Sequence, residues 1–202
     1  MQSDQDNSHN NRPDSGHPDS SRKFQSGNLI LVGLMGSGKT TMGRTLARHL
    51  GKTFVDSDEE IIKRTGVTIP HIFDVEGESG FRLRETAAIR DLVGRDNMVL
   101  ATGGGAVLAE QNRALLQQNG IVIYLKASVH DLWQRTRHDR NRPLLQTGNP
   151  YAKLTELFHQ RDPLYQQVSD IVGQSGKQSV HALMLHLVDE IEALKNQERT
   201  VG

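Results

Sequence analysis

The sequence has no cysteine. This excludes disulfides, thiolate metal sites and cysteine nucleophiles, and it fits a reducing compartment. It has no surplus of charge either: 24 Lys+Arg balance 24 Asp+Glu. No global basic field therefore points to nucleic acid or to a membrane surface. Aromatic residues make up 4% of the chain, too few to interleave with basic residues as a base-stacking surface would need. No apolar run approaches the ~20 residues of a membrane span, and the N-terminus lacks the apolar core of a secretory signal. A His-Glu-x-x-His metal motif is missing, and so is a guanine-reading Asn-Lys-x-Asp. The expectation is a cytoplasmic protein with no nucleic-acid or membrane partner. Its 202 residues suffice for one sizeable α/β domain but not for two large ones.

Two materials alternate along the chain. Residues 1–27 are rich in Ser, Asp, Asn, His, Gly and Pro, with Phe24 the only aromatic. Such a composition cannot bury enough apolar surface to offset its ordering entropy, so this segment reads as a disordered polar tail. Four aspartates, Asp4, Asp6, Asp14 and Asp19, argue against a transit peptide. From residue 28 to about 197, short apolar strands alternate with helical periodicity. Strands are expected at Leu29–Val32, Thr53–Val55, Met98–Ala101, Ile121–Leu125 and Asp170–Val172. The helix from Ile69 to Val93 should break near Glu76-Gly77-Glu78, and Pro163 should interrupt the helix from Tyr151 to Val168. The alternation predicts an α/β fold: a five-stranded parallel sheet with helices on both faces. Ligands of such sheets bind beyond the carboxyl ends of the strands.

Gly33-Leu34-Met35-Gly36-Ser37-Gly38-Lys39-Thr40 has the spacing G-x-x-x-x-G-K-[ST], and it stands between an apolar strand and a helical pattern. That context makes it a phosphate-binding loop. Glycines let successive N–H groups point at one anion, and the following helix aims its positive end at the same place. Lys39 would reach the terminal phosphates and Thr40 would sit on Mg²⁺.

Other strand ends should face the same crevice. Asp56 and Asp58, at i and i+2 of an extended segment, would point the same way, one toward a metal's water shell and one toward a hydroxyl. The competing reading is a helix start, with Ser57 or Asp58 as N-cap. In Phe81-Arg82-Leu83-Arg84-Glu85 only one arginine can face a ligand, since i and i+2 diverge on a helix; a solvated charged face with Glu78 and Glu85 is the alternative. Gly103-Gly104-Gly105 suits a close backbone approach, or a flexible turn. Four arginines lie within Arg135–Arg142. They fit a lid that brings charge to a transferring phosphoryl group, a nucleic-acid patch, or a solvated loop. Arg161 faces the crevice or pairs with Asp162. Gly173–Lys177 is not a second phosphate loop, because Gln178 stands where Ser or Thr is required, though it could touch a base. His181 and His186 are surface or partly buried positions.

Taken together, Gly33–Thr41, Asp56-Ser57-Asp58, Phe81–Glu85, Thr102–Gly105, Arg142-Pro143-Leu144-Leu145 and Arg161-Asp162-Pro163-Leu164-Tyr165 resemble the shikimate kinase family in order and spacing. The resemblance covers everything but the tail. It implies a fold similar to nucleoside monophosphate kinases, with a substrate-binding region at about 57–94 and a lid at about 136–150. It implies a monomer that transfers the γ-phosphate of ATP to the 3-hydroxyl of shikimate, with Mg²⁺. Carried over, Gly36, Ser37, Gly38, Lys39, Thr40 and Thr41 would hold ATP phosphates. Thr40 would ligate the metal, and Asp56 would lie near it through water. Asp58 would bind shikimate hydroxyls and act as base. Arg82 and Arg161 would clamp the carboxylate, and Gly103, Gly104 and Gly105 would line the ring. Arg142 would act on the moving phosphate and Arg135 would lie against adenine. Thr40-Thr41 replaces a common Ser-Thr, and the acidic tail is extra. The alternatives are a gluconate or nucleotide kinase of the same fold, or an ATP-binding regulatory domain without turnover.

Overall fold

The computed structural model of the chain describes residues 21–139, 142–176 and 178–201. Arg140, Lys177 and nearly all of the expected tail lie outside them. The elements run α1 (Ser21–Gln25), β1 (Leu29–Val32), α2 (Lys39–Leu50), β2 (Thr53–Asp56), α3 (Ser57–Thr65), α4 (Ile69–Val93), β3 (Met98–Ala101), α5 (Glu110–Asn119), β4 (Ile121–Lys126), α6 (Val129–Thr136), α7 (Pro150–Val168), β5 (Ile171–Gln174) and α8 (Val180–Val201). Single 3₁₀ turns lie at Ala106–Leu108 and Pro143–Leu145.

The five strands are all parallel, in the order β2-β3-β1-β4-β5. The period-two alternation of strand side chains divides the core. Leu29 and Leu31 of β1, with Ile121, Ile123 and Leu125 of β4, face Met42, Leu46 and Ala47 of α2 and Leu183, Leu187 and Ile191 of α8. Ile30, Val32, Val122 and Tyr124 face the other way, onto Ile89 and Leu92 of α4, Leu116 of α5 and Leu154, Leu157 and Tyr165 of α7. Both faces of the sheet are thus covered, which is why the central strands read as unbroken apolar runs. A separate cluster of Ile61, Ile72, Phe81 and Ala88 knits α3 to α4 and gives the region after β2 its own small core.

Topology places the site. The chain leaves β1 toward β2 on one side and leaves β3 toward β4 on the other. The carboxyl ends of β1 and β3 therefore diverge and open a crevice between their loops.

Two local expectations change and one holds. The folded body begins before residue 28. Ser21–Gln25 is a helix, Phe24 packs against the core beside Leu50 and Leu194, and Lys23 pairs with Asp170 at 2.5 Å. Phe24 supplied the apolar anchor that the average composition of the segment hid. Pro163 does not interrupt α7, which runs unbroken from Pro150 to Val168; tertiary contacts on both sides of that turn compensate for the missing N–H. The break in α4 is where it was expected, at Gly77, whose φ of 69° and ψ of −177° are open to glycine and strained for other residues.

At the amino end of the sheet, Asn28 is fully buried. Its Nδ2 donates to the carbonyls of Arg95 (2.7 Å) and Asn119 (3.2 Å), and its Oδ1 accepts from the Met98 N–H at 3.1 Å. One amide thus ties the starts of β1, β3 and β4. Asn28→Ala would leave the buried Met98 N–H without its acceptor and the Arg95 carbonyl without this donor, while the Asn119 carbonyl keeps the Ser26 hydroxyl at 2.9 Å, and should lower stability by about 1–3 kcal/mol. Urea denaturation checks this: an unchanged midpoint would show that the amide is not a structural tie.

Candidate active site

The phosphate loop owes its shape to three glycines with left-handed φ, Gly33 (143°), Gly36 (79°) and Gly38 (95°). A Cβ at Gly33 would lie 2.7 Å from the Leu125 carbonyl, and one at Gly36 would lie 2.7 Å from the Thr136 methyl. The loop is therefore seated tightly against β4 and α6. Lys39 begins α2 and curls back, donating to the carbonyls of Gly33 (2.7 Å) and Leu34 (2.9 Å). Burial of the amine, and next the nearby Arg142 charge, lower its pKa to about 8 against the pull of Asp58 and Asp56. Its ammonium thus lacks an anionic partner that the loop is shaped to receive.

Asp56 and Asp58 both line the crevice, but not through a shared extended segment. Asp56 ends β2 and is itself the N-cap of α3: its Oδ1 accepts from the Asp58 N–H at 3.0 Å. Its Oδ2 accepts from the Thr40 hydroxyl at 3.1 Å. Asp58 lies one turn into the crevice, with Oδ1 buried and without a protein partner. Burial chiefly, then Asp56 and Glu85, push its pKa up to about 6 against Lys39 and Arg142.

Glu85 completes this wall. It is fully buried, and its Oε2 accepts from Arg82 Nη1 at 2.8 Å while its Oε1 is unpartnered. Burial raises its pKa although Arg82 and Arg161 pull the other way. Arg82 also donates to Glu78, from Nη2 at 2.7 Å. Arg84 points away and pairs with Glu76 on the exposed side, as the helical divergence of i and i+2 requires. From α7, Arg161 is 2% exposed and presents Nε and Nη1 with no protein partner.

The three glycines after β3 are shaped by these side chains. A Cβ at Gly103 would lie 2.5 Å from Glu85 Oε1 and 2.9 Å from Asp58 Oδ1; one at Gly105 would lie 2.3 Å from the Arg82 guanidinium. Gly104 lies against the phosphate loop, where a Cβ would come 3.4 Å from the Met35 nitrogen, and its carbonyl accepts from the Tyr165 hydroxyl. The loop is a seat for the charged groups of the site rather than a flexible turn.

Across the crevice, Arg142 precedes the turn Pro143–Leu145 and donates Nε to Asp139 at 2.8 Å. Leu145 is buried in the main core and anchors the end of that turn. Arg135 donates to the Gly36 carbonyl and to Ser175 Oγ, both at 3.0 Å.

All these groups surround one cavity of about 760 Å³, the size of a small-molecule site. Every residue that the family resemblance gave a site role lines it except Ser37. Ser37 instead lines an adjoining cavity of about 360 Å³ with Gly38, Thr41, Arg135, Ser175 and Gln178. The glycine loop after β5 thus reaches the site's edge. Two functional positions escaped sequence reading. Glu85 read as a solvated neighbour, although its i+3 spacing from Arg82 was visible. Tyr165 carried no signal beyond its place four residues after Arg161. His181 and His186 are exposed and outside the site. Among the described residues, no group of three or more His, Cys, Asp or Glu gathers as a metal cage.

Comparison with known proteins agrees with this geometry. The family model for shikimate kinase matches residues 35–192. The shikimate kinase of Nitrosospira multiformis is 59% identical over 165 residues, 82% of this chain and 85% of that one. That of Nitrosomonas europaea is 58% identical, over 87% of this chain and 83% of its own. The solved structure of shikimate kinase from Acinetobacter baumannii in complex with shikimate is 49% identical and superposes with a TM-score of 0.81, covering 83% of this chain and 94% of that one. With the phosphate loop, the paired carboxylates and the two inward arginines in one crevice, the chain belongs to the shikimate kinase family.

Proposed function

We propose that the crevice transfers the γ-phosphate of ATP to the 3-hydroxyl of shikimate, each step carried by the groups described above. The observation that carries the assignment of the acceptor chamber is its set of buried polar atoms without protein partners: Asp58 Oδ1 and Glu85 Oε1 as acceptors, Arg161 Nε and Nη1 as donors. Stranded buried polar atoms are costly unless a ligand satisfies them. Two acceptors fit hydroxyls, and two neighbouring arginines fit a carboxylate. A small hydroxylated carboxylic acid supplies both.

On this reading ATP lays its phosphates in the loop of Gly36–Thr41, and Lys39 turns from the loop carbonyls to the terminal phosphates. Arg135 and the adjoining cavity take the base. Mg²⁺ fits the hard oxygen pair of Thr40 and Asp56, which leaves room for waters and phosphate oxygens. Thr40 would hold it directly. Asp56, already engaged as a helix cap, would hold it through water, and the ion would neutralise phosphate charge. Arg82 and Arg161 clamp the acceptor's carboxylate while Gly103–Gly105 lie along its ring. Asp58 accepts the proton of the 3-hydroxyl as its oxygen bonds to the γ-phosphorus and the bond to the β–γ bridging oxygen breaks, with ADP leaving. Lys39 and Arg142 stabilise the charge that spreads over the moving group. All these groups come from one chain, so a monomer suffices. No helix of the described residues is long and apolar enough to cross a membrane, and the reading places the enzyme in the cytoplasm, in the pathway to aromatic amino acids.

An ADP-release assay with ATP, Mg²⁺ and shikimate, gluconate or a nucleoside monophosphate tests the reading: turnover only with another acceptor would overturn it. Arg82→Ala should raise the KM for shikimate by roughly 10–100-fold, the worth of a charge-assisted pair, and leave ATP affinity unchanged. Asp58→Asn should cut kcat at least ~100-fold. It should also stabilise the protein. The folded pKa of Asp58 lies above its unfolded value of 3.8, at about 6, so its charge costs stability fully above pH 6, and the cost fades as pH falls toward 4. Near pH 7.5 the variant should therefore gain about 2–3 kcal/mol. A lower melting temperature in the variant would contradict this. The pH profile of kcat/KM should be bell-shaped, falling below about 6 as Asp58 takes up a proton and above about 8 as free Lys39 loses one. A flat profile from pH 5 to 9 would remove both assignments.

A further inference from the structure

Arg161 poses a positioning problem. Its guanidinium is buried, and two of its nitrogens have no protein partner. The side chain it hydrogen-bonds, Tyr165, lies one turn on in the same helix, so the aim of Arg161 is set by the helix that carries both. That helix is weakened at this turn, because Pro163 has no N–H to donate to the carbonyl four residues back.

What fixes the turn is a polar clamp on the adjoining stripe of α7. Asp162 is 15% exposed. Its Oδ1 accepts from the hydroxyl of Tyr124 at 2.7 Å, and Lys126 Nζ approaches the same oxygen at 2.9 Å. Its Oδ2 accepts from Gln166 Nε2 at 2.6 Å, one helical turn on. Burial pushes the carboxyl up, but the three hydrogen bonds outweigh it and hold Asp162 below the usual carboxylate range. Tyr124 is the last β4 residue in the core on the α7 face of the sheet, and Lys126 is the last residue of the strand, at the crevice end. The Tyr124 ring packs on that of Tyr165 with centroids 4.9 Å apart, and Tyr165 in turn bonds the Gly104 carbonyl in the chamber. Arg161 and Tyr165, four apart, share the stripe that faces the chamber. Asp162 and Gln166 share the next one.

We propose that Asp162, held by Tyr124 and Lys126 at the end of β4, is a positioning residue that sets the rotation of α7 and thereby aims Arg161 at the acceptor's carboxylate. The inference rests on the reading of Arg161 as half of the carboxylate clamp. Its reach is confined to acceptor binding, because neither Asp162 nor its partners line the cavity that holds the phosphate loop.

The experiment is a double-mutant cycle in the full chain, read as KM for shikimate, KM for ATP and kcat. Asp162→Ala should raise the shikimate KM on the order of tenfold, with kcat and the ATP KM within about twofold. Tyr124→Phe, which removes only the hydroxyl, should move the same constant in the same direction by less, and it keeps the test open if Asp162→Ala folds poorly. In an Arg161→Ala background, Asp162→Ala should add nothing to the shikimate KM. Equal and independent effects in the two backgrounds, or a fall in melting temperature with an unchanged shikimate KM, would overturn the proposal. If Arg161→Ala itself leaves the shikimate KM unchanged, the clamp reading fails; if Arg161→Ala raises it and Asp162→Ala does not, the positioning role fails alone.

Discussion

Asp58 arrives from the helix after β2 and Glu85 from the middle of α4, and both press on the backbone at Gly103; Arg82 presses likewise on Gly105. A single methyl at either glycine would fall within 2.5 Å of a charged oxygen or nitrogen. The site therefore depends on a strip of backbone with no side chains, onto which two acids and a base are packed. The close approach also sets the electrostatics. Burial pushes both carboxylates toward the neutral form, Asp56 and Glu85 add to the push on Asp58, and the neighbouring cations only partly compensate.

Such an arrangement opposes folding. Asp58, Glu85 and Arg161 each keep buried atoms without partners, and the free energy for this comes from elsewhere in the molecule. The central strands are dry on both faces and packed by helices on each, and the amino end of the sheet is pinned by the fully satisfied amide of Asn28. The two ends of the same strands thus have opposite characters. At the amino end, among the described residues, no buried side-chain polar atom is left without a partner. At the carboxyl end several are left to a ligand, and binding energy that would otherwise be lost to folding is available for orientation.

The sequence carried the architecture well, because parallel strands buried on both faces are continuous apolar runs and the phosphate loop fixes its own flanks. It also carried the positions of nearly all the residues that line the crevice. It carried less about how they are held. Asp56 was legible as a carboxylate at a strand end, but its double engagement, capping α3 and accepting from Thr40, depends on the angle at which β2 turns into the helix. Glu85 was hidden because a Glu three residues after an Arg is ordinary on a solvated helix; only the tertiary fold buries it. The start of the folded body at Ser21 was hidden by averaging: one phenylalanine and one lysine dock a segment whose composition reads as unstructured.

Pro163 shows the same limit in another form. By local rules it should end α7, yet the helix continues, because Asp162 is tied to β4 on one side and Tyr165 to Gly104 on the other. The consequence reaches the chemistry. Arg161 and Arg82 are presented by the interiors of long helices packed on the core, whereas Arg142 stands in irregular chain ahead of a short 3₁₀ turn and donates to Asp139. On the proposed roles, the groups that recognise a fixed carboxylate are built on long helices, and the group that meets a phosphoryl changing position and charge is built on an element with fewer constraints. The proposed division between acceptor recognition and phosphoryl stabilisation then follows the elements that carry each arginine.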